Sequence, residues 1–241
     1  TGTMTKCVNY GKIYTTENSN SKQIFMGGIC GLSQNATTTY IACENNGELA
    51  IEQSIVNATG PRVGGFIGQI MTSGTLTITD GFINRGAINI NPKDCLDNIQ
   101  VAGFVANYST DITTSSTGTI LNEGDITYSG TATKGITRIA GIAAASARAF
   151  PHEALTFVNA GDITVTGTAP TLTVGGIYGN SSKKLVNARC FCNIKATTTT
   201  SVGMIEVGSY NTTYPLLSCH AGGTIQIGDG EKITLDSSNY Y

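Results

Sequence analysis

Apolar side chains recur two positions before and two positions after an Asn-x-Gly triplet, and the residues between them are mostly polar. The triplet reads Asn9-Tyr10-Gly11, Asn45-Asn46-Gly47, Asn84-Arg85-Gly86, Asn122-Glu123-Gly124 and Asn159-Ala160-Gly161. It then decays to Asn187-Ala188-Arg189 and Ala221-Gly222-Gly223. The preceding apolar column is Cys7, Cys43, Phe82, Ile120, Phe157, Leu185 and Cys219, and the following one is Ile13, Leu49, Ile88, Ile126, Ile163, Phe191 and Ile225. Alternation with period two is the mark of strands that bury one face. Helical spacing is not evident in any repeat.

A second marker follows each triplet, as Gly28-Ile29, Gly65-Phe66, Gly103-Phe104, Gly141-Ile142, Gly176-Ile177 and Gly203-Met204, 14 to 18 residues after the turn position. The first five turn glycines are 36 to 39 residues apart. Two markers that hold phase over successive periods identify a repeat architecture. Three short strands per period, one of them centred on the second marker, describe one coil of a parallel β-helix in which each strand pairs with its copy in the next coil. The expected fold is therefore all-β, a β-solenoid of six to seven coils, with repeats starting near residues 7, 43, 82, 120, 157, 185 and 219 of a single domain spanning 1–241. Gly228-Asp229-Gly230-Glu231 reads as the turn of a terminal hairpin that covers the last coil's edge.

The asparagines Asn9, Asn45, Asn84, Asn122, Asn159 and Asn187 are expected to form a structural ladder, each amide donating and accepting along the coil axis. The glycine after each is expected to supply a positive φ. Small residues around the second marker, such as Gly31, Gly68, Ala106, Ala144 and Gly179, are expected to admit a close backbone. The segment from Gly176 to Arg189 is shorter than its counterparts, which leaves a notch beside the loop that holds Arg148, His152 and Glu153.

Composition narrows the function. Charged residues make up 12% of 241, with 30 glycines, no tryptophan and a net charge of −2. That balance offers no basic stripe for nucleic acid, and no apolar run is long enough to span a membrane as a helix. Thr1 enters almost directly into the first repeat, as in a trimmed piece of a longer chain with flanking domains. Seven cysteines cannot all pair internally. Cys7, Cys43 and Cys219 fall in the apolar column, whereas Cys190 and Cys192 flank Phe191 and are expected to point outward.

Candidate chemistry is sparse. Asp125 and Asp162 fall in the outward column after the turn glycine and stack about 4.8 Å apart on successive rungs. Such a pair favours a calcium ion or a raised pKa, and is the one weak catalytic or calcium candidate; otherwise no cofactor is expected. Tyr178, Arg148 and Glu153 are weak ligand-binding candidates, the tyrosine through stacking on sugar rings.

Gly-Gly-Ile-Cys-Gly at 27 to 31, Gly-Gly-Phe-Ile-Gly at 64 to 68 and Gly-Gly-Ile-Tyr-Gly at 175 to 179, each preceded by an Asn-x-Gly strand, resemble the GLUG-type repeats of bacterial surface proteins and adhesins. Such chains are similar in form to the right-handed β-helices of the pectin-lyase-like superfamily. The resemblance implies a secreted or cell-surface protein, on a bacterial outer surface or in the periplasm of a Bacteroidetes organism. It implies a non-enzymatic adhesive, scaffolding or carbohydrate-binding role, with a polysaccharide or host glycan as partner. The alternative is a polysaccharide-active enzyme, a lyase or glycoside hydrolase, working on the solenoid face.

Overall fold

Every repeat is built from segments too short to bury an apolar face alone, and the computed structural model shows how they share one. It describes residues 2–15, 23–34, 37–52, 59–71, 76–108, 115–146, 154–180, 185–199, 201–205 and 216–235. The described residues form an all-β parallel solenoid without helix. In the third repeat the chain runs through Leu76–Asn84, turns at Asn-x-Gly into Ile88–Ile90, and continues through Ile99–Ala102 and Val105–Tyr108. A coil thus carries four strand segments, not three. The second marker is a corner rather than a strand centre: Gly103 and Phe104 occupy the bend between the third and fourth segments.

Equivalent segments pair in parallel and in register. Asn84 lies between Asn45 and Asn122, Ile88 between Leu49 and Ile126, Val101 between Val63 and Ile139, and Val105 between Ile67 and Ala143. The expected alternation is realised, with Ile88, Ile126 and Ile163 wholly buried. Each such side chain contributes about 1.5–3 kcal/mol of hydrophobic stabilisation. Aromatic residues fill the wider coils: Phe66 stacks on Phe104 at 5.2 Å and meets Tyr40 edge-on at 4.6 Å.

The two sequence markers are opposing corners that touch. A Cβ built on Gly103 would lie 2.2 Å from the Asn122 Cγ, and one on Gly65 would lie 2.6 Å from the Asn84 Cγ. Small residues beyond the second corner allow the third and fourth segments to close on one another; a Cβ on Gly68 would meet the Arg62 carbonyl oxygen at 2.8 Å. The turn glycines of the second to fifth repeats have no positive φ. They are required by stacking instead, since a Cβ on Gly86 would sit 1.9 Å from the Gly47 carbonyl oxygen.

Among the described residues four coils carry all four segments, fewer than the six to seven repeats, because the last described fourth strand is Ala143–Ser146. Its next copy is reduced to an isolated bridge between Ala143 and Tyr178. The sixth repeat also departs from its expected register. Phe157 pairs with Ala188 and Asn159 with Cys190, so Asn187 is not a ladder member. Asn187 instead has φ of 54°, at the position before the apolar column where Lys6, Ala42 and Ser218 are also left-handed. Asparagine tolerates that conformation better than most residues. Lacking Asn-x-Gly, the sixth repeat has no corner there and runs as one strand, Ala188–Ala196, with strict alternation of burial. That phase turns Cys190 and Cys192 inward and leaves Phe191 53% exposed, the reverse of the expectation. All seven cysteines are free. The terminal hairpin is present: His220–Ile227 pairs in parallel with the sixth-repeat strand and antiparallel with Ile233–Leu235.

Candidate functional site

The strand that follows each Asn-x-Gly corner is only three residues long in most coils, with its outer residues mostly polar and stacked in columns. One column, just after the turn glycine, holds Lys12, Glu48, Ala87, Asp125, Asp162, Asn193 and Thr224; a second, two residues on, holds Tyr14, Ala50, Asn89, Thr127, Thr164, Lys195 and Gln226. Successive members are one rung apart, about 4.8 Å. Three clefts open on this face: one of about 420 Å³ bounded by Lys12, Glu48, Glu52, Asn89, Asn91 and Thr127, one of about 240 Å³ at Asp162, Asn193 and Lys232, and one of about 440 Å³ at Thr166, Lys195 and Asp229.

In the first cleft Glu48 is held from two sides. Asn89 Nδ2 donates to Glu48 Oε1 at 2.8 Å, and Lys12 Nζ lies 3.3 Å from Oε2. The Asn89 hydrogen bond first, and then Lys12, hold the Glu48 carboxyl below the usual carboxylate range. The Lys12 ammonium also lies 5.6 Å from the centre of the Tyr14 ring, which is 55% exposed. The cleft therefore presents a cation, a carboxylate and an amide, with the Tyr14 ring beside the cation, on strands whose register fixes their spacing.

Asp125 and Asp162 do stack on this face, but each carboxylate accepts a backbone N–H from the next coil. Asp125 Oδ1 accepts the Asp162 backbone N–H at 2.9 Å, and Asp162 Oδ1 accepts the Asn193 backbone N–H at 2.7 Å. Asn193 Nδ2 also donates to both Asp162 oxygens at 3.1 Å, and its own Oδ1 accepts from Thr224 Oγ1 at 2.7 Å. Each carboxylate thus ties one coil's corner to the next. Among the described residues no group of three or more His, Cys, Asp or Glu converges.

The Asn ladder occupies the opposite side of the same corner. Nδ2 of Asn9, Asn45, Asn84 and Asn122 donates to Oδ1 of the next asparagine at 2.7 Å in every case. The same nitrogens reach the glycine carbonyl two residues on, at 2.9–3.0 Å. Asn45, Asn84, Asn122 and Asn159 are wholly buried, so this column is structural and reaches no ligand.

Of the remaining sequence candidates, Tyr178 is 1% exposed and belongs to the core, as do Tyr40 and Tyr108. Its ring fills the interior because the strand phase points it inward, and it offers no face to a sugar. Arg148 and Glu153 lie outside the described residues. The cleft around Glu48 was missed in the sequence, although Lys12 and Glu48 head the outward column; the usable signal was the polar residue two positions on, Asn89, which alternation places beside them. Comparison with protein-family models, curated proteins and solved structures gives no match for the chain.

Proposed function

We propose that this chain is a non-enzymatic glycan-binding solenoid of a bacterial cell surface or secreted protein, built on GLUG-type repeats and serving adhesion. The observation that carries the reading is the cleft of about 420 Å³ on the rung-spaced polar face, where Lys12, Glu48 and Asn89 converge, with the exposed Tyr14 ring beside Lys12. Sugars are recognised by an apolar ring face together with a few fixed polar groups, and an array of hydroxyl and amide side chains at a constant rung spacing suits an extended polysaccharide. The run of Thr127, Thr164, Lys195 and Gln226 continues that surface along the axis.

The catalytic alternative is weaker because glycoside hydrolysis needs two carboxyl groups free to face a scissile bond, whereas Asp125 and Asp162 accept backbone hydrogen bonds. Glycan-array screening of the full chain, with a polysaccharide-degradation assay run alongside, tests both. Binding that falls at least tenfold in Tyr14→Ala and Lys12→Ala, without cleavage, supports the proposal. Unchanged binding in both variants, or cleavage abolished by Asp125→Asn with Asp162→Asn, overturns it.

A further inference from the structure

The inward turn of the sixth repeat gathers three sulfur atoms in the core. Cys190 and Cys192 alternate on one strand and so share a face, and Met204 approaches them from the second corner of the same coil. Cys190 Sγ lies 3.0 Å from Cys192 Sγ and 3.4 Å from Met204 Sδ, and Cys192 Sγ lies 3.8 Å from Met204 Sδ. The three residues are 0%, 2% and 5% exposed. The thiol contact is far longer than a disulfide, at about 2.05 Å. The point equidistant from the three sulfurs lies about 2.0 Å from each, a few tenths of an ångström short of the roughly 2.3 Å of a metal–thiolate bond.

We propose that Cys190, Cys192 and Met204 form a three-coordinate site for a soft monovalent metal ion of the Cu(I) class. Two thiols with a thioether and no oxygen or imidazole select soft d¹⁰ ions. Zinc asks for a fourth protein ligand in a closed site, and among the described residues no third Cys, His, Asp or Glu joins the pair. Charge also favours a single positive charge: one thiolate with one monovalent ion is neutral, as a site this deeply buried requires. One S–H bond breaks, its proton passes to water, and a sulfur–metal bond forms; the second thiol and the thioether ligate as neutral donors, with no change in oxidation state. The ladder supplies outer support, because Asn159 Nδ2 donates toward Cys190 Sγ at 3.9 Å and so orients a ligating sulfur.

The test uses Ag(I), which is redox-inert and of the same class, titrated into the full reduced chain in excess of a competing monothiol and read by native mass spectrometry. The expected result is one more retained ion per chain in the wild type than in Cys190→Ala with Cys192→Ala, since the other five cysteines are common to both. Met204→Leu, a swap that keeps volume and costs little in a core, lowers the affinity at least tenfold while circular dichroism stays unchanged. Equal ion counts in wild type and double variant overturn the site. So does unaltered affinity in Met204→Leu, which decides the matter if the double variant does not fold.

Discussion

Replacing Asn122 with alanine removes the middle of a buried chain of amides, and the cost follows from what it strands. Asn122 donates to Asn159 Oδ1 at 2.7 Å and to the Gly124 carbonyl oxygen at 2.9 Å, and accepts from Asn84 Nδ2 at 2.7 Å. Asn84 keeps its second acceptor, the Gly86 carbonyl, so that donor loses least. Asn159 Oδ1 and the Gly124 carbonyl are left without this donor in a site that is 0% exposed. At about 1–3 kcal/mol for each of the two buried acceptors left unpaired, Asn122→Ala destabilises by roughly 2–6 kcal/mol. Asn9 makes the same two donations at the open first coil, where water can replace it, and Asn9→Ala costs only about 0.5–1 kcal/mol. Asn122→Asp separates hydrogen bonding from volume: it keeps the shape, loses both donations and brings charge into the interior, so it must destabilise at least as much as alanine. Urea melts followed by far-ultraviolet circular dichroism, with slopes compared between variants, read these differences. A loss under about 0.5 kcal/mol in Asn122→Ala, an equal loss in Asn9→Ala, or a benign Asn122→Asp refutes the reasoning.

Three further outcomes follow from the same contacts. Gly103→Ala places a Cβ 2.2 Å from the Asn122 Cγ and 2.3 Å from the Gly141 carbonyl oxygen, and is expected to lower the urea midpoint more than Ile126→Ala does. Ile126→Ala, at a 0% exposed position in the middle of its ladder, costs roughly 2–5 kcal/mol by differential scanning calorimetry or denaturant melt. Glu48→Gln tests the cleft's electrostatics: a carboxyl whose folded pKa is depressed stabilises above its unfolded pKa and loses that contribution as pH falls through the folded value. The stability gap between wild type and Glu48→Gln is therefore expected at neutral pH and to close in acid; a gap that is constant with pH contradicts it.

Much of the fold was legible because the repeat writes the same physics five times over. The Ile88, Ile126 and Ile163 column, the asparagines from Asn9 to Asn159, and the terminal hairpin around Asp229 all follow from alternation and turn chemistry. What escaped was three-dimensional. That Gly103 must be small to admit Asn122 depends on two corners meeting across the interior, which no spacing along one coil reveals. The turn glycines were legible as a requirement but not as its cause, since close stacking of backbone and a positive φ select the same residue. The sixth repeat misled because Asn187-Ala188 copies the motif at the wrong place: the alternation from Ala188 to Ala196 was the better guide, and it fixes both the inward cysteines and the loss of the corner. Of the candidate site, Lys12 and Glu48 lay in a readable column, whereas their union with Asn89 and Tyr14 needed the register between coils.

The central claim is that equivalent residues of successive repeats lie directly over one another. Distances between spin labels carried on non-cysteine side chains at Tyr10, Asn46 and Ala160, the middle positions of three Asn-x-Gly corners, test it most directly. In-register stacking places Tyr10 and Ala160 four rungs apart, about 19 Å, and Asn46 and Ala160 three rungs apart, about 14 Å, despite their separation in sequence. Distances that shorten together by one rung support the account; a Tyr10 to Ala160 distance well beyond this value, or one that does not change with rung number, contradicts it.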